Sequence, residues 1–593
     1  MKKVLLSFIL SIATVSMFAQ TIVDTVSHNK KVVLEEYTGI HCVYCPDGHK
    51  VANQIKAANP NNVFLINIHQ GSYATAGAGE PNFKTSFGDP LATQAGVNSW
   101  PAGTVNRHLF SGTVTTLQRN TWSANSNIIL TQPSYVNLGV TATADVQTRI
   151  LTVNVEAYYT GNGPILNMLN VALLQNNVEG PQTGGSNFNP IQVLPNGNYN
   201  HGHMLRHLIT GQWGDSINVT THGTLIQKTY TYTLPANINN VGLELGDIEV
   251  VAFIAEGKQE IITGAESKVN LTNFLNAKDV SVVSVSSYNE ICDAKIQPTV
   301  KIKNLGSDTV TSASFTYAIN GGTATTYNWT GSLLPYTSKD VLFPVISSFS
   351  VLASNSITVA VVNVNGIADQ NIANNSATKS NILMSSNSSS GSTGHVFTFV
   401  QDRYGSESTW KITEDATGTI VAQGGPYADL AATGILEHTA NVTFTATGCY
   451  TLMVYDAYGD GINAGTGAGN YNLKNAFNQV VVSSNGIFGK EDRKVFNLLS
   501  LVGIEETAIN TSLSISPVPA KDNLNLNFNL NDAKTVIINI YNNLGALVIT
   551  RNEGELLSGN HTLDINVSKL SKGIYYLNLQ AGENNIARKI VIE

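Results

Sequence analysis

Lys31 to Tyr37 (KVVLEEY) reads as a strand, and Thr38-Gly39-Ile40-His41-Cys42-Val43-Tyr44-Cys45-Pro46 follows it directly. Beyond that loop Val51, Ile55 and Ala58 recur at i, i+4 and i+7, a helical stripe that Asn59-Pro60 closes. Val63 to Ile68 (VFLINI) is an apolar run of strand length. Strand, helix and strand in that order predict a parallel βαβ unit. No later part of the chain repeats the pattern.

Pro46 suits a first helical turn, where the N–H that proline lacks would have no partner. Cys42 and Cys45 therefore stand at a helix start, where free backbone N–H groups and the positive dipole end favour thiolate over thiol. A protonated His41 adds to that effect. Cys42 reads as the nucleophile and Cys45 as the resolving thiol. A structural disulfide is one alternative, although closing so short a ring contributes only about 2 kcal/mol. Metal ligation is the other, and it needs two further ligands where the sequence offers no second CxxC nearby.

Moving outward, 593 residues correspond to about four domains. Hydrophobic residues make up 42%, enough for real cores, so disorder is excluded as the general state. Charged residues are only 12% and the net charge is −8, which excludes a general nucleic-acid binder. Residues 1–20 read as a signal peptide: Lys2 and Lys3 precede a mostly apolar run, with an exit near Ala19-Gln20. No later stretch reaches the roughly 18 apolar residues that span a bilayer, so the mature chain is expected to have no transmembrane span. Four cysteines are too few for a disulfide scaffold in a secreted chain this long. Cys292 reads as a small buried hydrophobe and Cys449 as a cysteine without a local partner.

The expected organisation is multidomain. An α/β domain at 27–130 precedes all-β sandwich modules at 133–275, 278–383 and 395–500, with a flexible linker at 385–394 and a last β-domain at 511–593. Period-two alternation carries this reading, as in Val136, Leu138 and Val140 or Leu151, Val153 and Val155. Asp402-Arg403-Tyr404-Gly405 recurs as Asp456-Ala457-Tyr458-Gly459. The second copy continues as Asp460-Gly461, an oxygen-rich turn with the look of a calcium loop. It lacks the bidentate Glu of an EF-hand, because Gly467 stands there, and an Asp-Gly turn without metal explains the same residues.

The strand–CxxC–helix opening, followed by Val97-Asn98-Ser99-Trp100-Pro101-Ala102-Gly103-Thr104, resembles the thioredoxin fold. The resemblance implies a cis Pro101 facing the cysteines and a buried acid, Glu36, that relays the proton of the second cysteine. Its fusion to the next module resembles the outer-membrane-protein-28-related family of Bacteroidetes, through Tyr199-Asn200-His201-Gly202-His203-Met204-Leu205-Arg206. His201, His203 and His207 read as a polar strand face, with a metal cluster as the alternative. Val300-Lys301-Ile302-Lys303-Asn304-Leu305-Gly306 resembles adhesion-related immunoglobulin-like domains, and the 395–500 module a jelly-roll-like sandwich common in secreted bacterial proteins. Ile515-Ser516-Pro517-Val518-Pro519-Ala520, Ile540-Tyr541-Asn542-Asn543-Leu544-Gly545 and Leu570-Ser571-Lys572-Gly573-Ile574-Tyr575-Tyr576 resemble the type A sorting domain of the type IX secretion system. That implies the type IX machinery as a partner and a cell-surface, outer-membrane or extracellular destination.

The expected function is thiol–disulfide exchange on a protein or peptide client, carried by Cys42, Cys45, Pro101 and Glu36. The alternative is a surface binding or adhesion protein that uses the same modules as docking platforms. A hydrolase has no support, since neither a G-x-S-x-G elbow nor an H-E-x-x-H helix is present.

Overall fold

Seven residues, Val32–Thr38, form strand β1, and every one of them is buried. Helix α1 (Cys45–Ala58) leads to strand β2 (Val63–His69), which runs parallel to β1 from the pairing of Val32 with Val63 to that of Thr38 with His69. Helix α2 (Gly88–Ala95), strand β3 (Ala102–Val105) and helix α3 (Trp122–Leu130) follow, with β3 antiparallel to β1. Side chains alternate across a strand, so β1 has two buried faces. Val32 and Leu34 pack with Ala52 and Ile55 of α1 and Trp122 and Ile129 of α3. Val33 and Tyr37 point the other way, into a core with Phe64, Ile66 and Leu91.

The computed structural model describes residues 21–77, 79–194, 196–347, 349–390, 394–500, 513–530, 532–582 and 584–593. The expected signal segment, 1–20, lies outside the described residues. Strand dominates the chain, and among the described residues no helix is long and apolar enough to cross a membrane. The chain divides into two compact units. One holds the described residues up to Ser286 with Pro298–Phe343 and Ile357–Lys379; the other holds Ser287–Gln297, Pro344–Ser356 and Ser380–Glu593.

In the first unit the expected N-terminal α/β thioredoxin-like domain is not present as a separate body. Its strands belong to one twelve-stranded sheet, in the order Leu225–Thr233, Ile150–Tyr159, Val136–Asp145, Ile261–Thr272, Ile248–Ala255, Asn167–Gln175, Met204–Leu208, β2, β1, β3, Leu117–Gln118, with Asp215–Ile217 beside Asn167–Gln175. The core against Val33 and Tyr37 also contains Ala172, Leu174, Leu205, Val251 and Phe253. The alternate residues of those same strands, Val171, Leu173, Val250 and Ala252, enter a second core with Leu151, Val153 and Val155. Strands buried on both faces are shared walls, so no boundary falls between 130 and 133. The outer edge of β2 would otherwise expose unpaired N–H and C=O groups. Met204 pairs with Asn67 there, and Asn67 N donates to His203 O at 2.8 Å.

A buried ion pair crosses this sheet. The Arg107 guanidinium grips Glu35 of β1 with Nε–Oε2 at 2.7 Å and Nη2–Oε1 at 2.5 Å, and Thr104 Oγ1 donates to the same carboxylate. Removing one partner of such a pair strands a buried charge, at about 3–5 kcal/mol. The same unit carries the three-stranded sheet Val280–Ser286, Thr299–Asn304 and Ser338–Leu342.

In the second unit residues 394–500 place two sheets around one aromatic core that includes Phe397, Trp410, Tyr450 and Phe496. The terminal strands from Ser514–Ser516 to Asn584–Ile592 surround a second core of Leu526, Ile538, Ile540 and Leu577. Two expectations change here. The stretch taken as a flexible linker contains a strand, Ser388–Ser390, parallel to Glu491–Ser500, because its backbone completes a sheet edge; residues 391–393 lie outside the described ones. Cys292 is not a lone hydrophobe: it forms a disulfide with Cys449, their Cα atoms 5.7 Å apart, so the partner that Cys449 lacks locally stands 157 residues away.

Candidate functional site

Cys42 and Cys45 are joined as a disulfide, with Cα atoms 5.4 Å apart. Cys42 N donates to Gly39 O and Cys45 N to Cys42 O, so successive turns wind the loop into α1, which starts at Cys45 with Pro46 next. Cys42 is 3% exposed and Cys45 fully buried, while Val43 and Tyr44 between them face solvent. The Trp100–Pro101 peptide bond is cis, and Pro101 is buried.

Gly48 explains how the other named residues meet. A Cβ at Gly48 would lie 2.4 Å from Glu36 Oε1 and 3.0 Å from the Pro101 Cβ, so only glycine lets both approach the helix backbone. Gly48 follows Cys45 by three residues, and positions three apart share a helix face. Cys45, Glu36 and Pro101 thus converge on the first turn of α1.

Glu36 is fully buried, and neither of its carboxyl oxygens has a hydrogen-bond partner. Burial holds its pKa well above the ordinary carboxylate value, with the Arg119 guanidinium pulling weakly the other way. Burial therefore favours the protonated carboxyl. An unpartnered polar group in a core costs stability, and such costs concentrate at functional sites. Its neighbour in sequence, Glu35, is by contrast fully engaged with Arg107.

His49, one turn beyond Cys45, escaped the sequence reading, although its i+4 spacing from the cysteine was visible. Its Nε2 lies 2.9 Å from Thr38 Oγ1 and 3.8 Å from Glu36 Oε1, and its Nδ1 lies 3.1 Å from the Tyr199 hydroxyl. His69 and His201 stack edge-on nearby, with ring centroids 5.2 Å apart. Burial, reinforced by neighbouring imidazoles, pulls His49 down to about 3 and His69 well below its ordinary value. Burial alone takes His201 down to about 4. All three are neutral at pH 7. No sequence signal joins them, since they arrive from α1, β2 and a strand some 130 residues later.

The structure separates the three histidines that the sequence placed on one face. His201 joins that buried group, His203 Nδ1 pairs with Glu249 Oε1 at 2.6 Å, and His207 stacks on Tyr232. A break at Gly202 and His203, the latter with φ 51°, ends the alternation. His41 points its Nε2 at Glu80 Oε2, 3.0 Å away. A cleft of about 230 Å³ opens beside this cluster, lined by His49, Asn67, Asn177, Tyr199, His201 and His203 among others.

In the second unit the turn considered for calcium gathers three carboxylates, those of Asp456, Asp460 and Glu407, with one oxygen of each within 4.8 Å of the others. Glu407 had no sequence signal beyond its place two residues after Gly405. Burial, then the neighbouring acids, raises Glu407 to about 7 and Asp456 to about 6.

Comparison with known proteins adds two domains to this geometry. Residues 89–273 match the family Outer membrane protein Omp28. Residues 514–593 match the Secretion system C-terminal sorting domain. The chain carries both domains. It is an exported protein of the cell surface or outer membrane, and its sorting domain implies interaction with the type IX secretion machinery. Among solved structures, HBP35 of Porphyromonas gingivalis is 16% identical, with 60% of this chain and 98% of that one covered at a TM-score of 0.33. The CARDB domain of the PF1109 protein from Pyrococcus furiosus is 26% identical over 19% of this chain and 95% of that one, at a TM-score of 0.16. No curated protein matches the chain.

Proposed function

We propose that this exported protein exchanges disulfides with polypeptide clients through Cys42 and Cys45. The observation that carries the reading is the buried, unpartnered Glu36 carboxyl beneath the first turn of the helix that bears the disulfide. A client thiolate bonds to Cys42 Sγ while the Cys42–Cys45 bond breaks, and its electron pair leaves on Cys45. The proton held by Glu36 converts that thiolate into a thiol. A second client thiolate then attacks the client sulfur of the mixed disulfide and releases Cys42. The client dithiol is thereby oxidised and the Cys42–Cys45 pair reduced, with atoms and electrons balanced. Pro101 walls the same turn and positions the reacting sulfurs.

A second reading, a surface binding protein whose short disulfide is inert, is favoured by the burial of Cys42. Trapping separates the two. Purified Cys45→Ser, in which Cys42 is left as a free thiol, is incubated with a test polypeptide that contains one disulfide. A mixed disulfide of the summed mass, absent with Cys42→Ser and released by a dithiol, is expected. Its absence from Cys45→Ser would leave only the binding reading.

A further inference from the structure

Val178–Gly180 and Tyr199–His201 form a two-stranded ladder, and the chain that joins them is longer than the ~12–15 residues of ordinary connections. The first part of this loop lies on the cysteine loop. Thr183 N donates to Ile40 O at 2.8 Å, and Gln182 Nε2 donates to both Gly39 O and Cys42 O at 3.1 Å. Gly184, at φ +76°, comes so close that a Cβ there would stand 2.1 Å from Val43 O. The Phe188 ring meets Tyr44 edge-on at 5.0 Å between centroids. The segment otherwise satisfies itself: Gly185 N donates to Gln182 O, Phe188 N to Gly184 O and Asn189 N to Gly185 O, the turns of short helix α4 (Gly185–Phe188). Lifting it away from the cysteines would break the bonds to residues 39–42, the Phe188–Tyr44 contact and the bond between Pro181 O and His201 Nε2, and leave its internal ones whole.

We propose that residues 181–188 are a strap closed over the Cys42–Cys45 disulfide, and that it must lift before a thiolate reaches Cys42. Attack on a disulfide needs an open line to the sulfur attacked. Cys42 is 3% exposed beneath a segment that bonds to its own carbonyl, so that line is shut in the closed state. Opening also reaches the buried cluster. Asn189, just past the strap, donates through Nδ2 to the Tyr199 hydroxyl at 2.8 Å, and that hydroxyl contacts His49 Nδ1. The strap therefore links access at Cys42 to the histidine one turn beyond Cys45. Its regulatory meaning rests on the exchange reading above, but the gate itself does not.

The test measures how fast dithiothreitol reduces each disulfide of the full-length protein, read by alkylation and mass spectrometry. Gln182→Ala removes two side-chain hydrogen bonds of the closed state, and reduction of Cys42–Cys45 is expected to quicken about tenfold. Gly184→Ala, whose methyl group has no room against Val43 O, is expected to quicken it at least as much. The Cys292–Cys449 disulfide is the internal reference and is expected to keep its parental rate. Parental rates at Cys42–Cys45 in both variants would overturn the gate, and so would faster amide hydrogen exchange in β1 and β2 peptides alongside the faster reduction, which marks general loosening of the first unit. Faster reduction with no client adduct from Cys45→Ser would support the gate while refuting exchange.

Discussion

The two disulfides differ most in how much chain each one closes, and that difference predicts opposite roles. Cys292 and Cys449 are separated by 157 residues, Cys42 and Cys45 by three. Loop-closure entropy then assigns about 5 kcal/mol to the long loop and about 2 kcal/mol to the short one. Both Cys292 and Cys449 are buried and share a small cluster with Val495, and Arg493 Nη1 donates to Glu290 O at 2.7 Å beside them. The Cys292→Ser/Cys449→Ser variant should therefore lose about 5 kcal/mol from the second unit, an upper value because the reduced unfolded chain keeps some structure. The Cys42→Ser/Cys45→Ser variant should lose no more than about 2 kcal/mol from the first. Urea unfolding of the full chain, followed by hydrogen exchange in peptides from each unit, reads both losses. A larger loss from the short-loop variant, or less than about 1 kcal/mol from the long-loop one, would refute the assignment of Cys292–Cys449 as the structural bond.

Two pH dependences follow from buried acids. The Glu36 pKa is raised in the folded state, so its penalty is absent below the ordinary value of 4.5 and grows as pH rises above it. Glu36→Gln should match the parent in urea midpoint at pH 4 and gain on it as pH rises above 4.5; parallel curves would exclude a buried ionisable Glu36. Glu407 at about 7 and Asp456 at about 6 have the same sign, so the second unit should be more stable near pH 5 than at pH 8. Glu407→Gln should narrow that gap in thermal unfolding, and an unchanged gap would show that the acids do not act together.

The candidate site was partly legible in the chain. Pro46 after Cys45 marks a helix start by its missing N–H, and the structure begins α1 at Cys45. Glu35 and Glu36 look alike in sequence, but side-chain alternation sends them to opposite faces of β1. One is held by Arg107, and the other lies against the backbone at Gly48 with His49 Nε2 3.8 Å away. His49 belongs to the local pattern and was overlooked, whereas His69, Tyr199 and His201 carry no mark of their meeting. The strap is less visible still, since Gln182 and Gly184 sit in an unpatterned loop far from the cysteines they cover.

Local chemistry in the chain determined the alternating strands, the helix that follows the cysteines and the blocks of the terminal β-domain read at 511–593, because each is written in neighbouring residues. Only the tertiary structure decided that strands β1 to β3 share their sheet with strands from Val136 to Thr272, that Cys292 finds Cys449, and that Gln182 of a distant loop bonds the Cys42 carbonyl. Those outcomes depend on which apolar face and which open strand edge find cover. Several partners of similar hydrophobicity can supply it, so periodicity alone does not name the one that does.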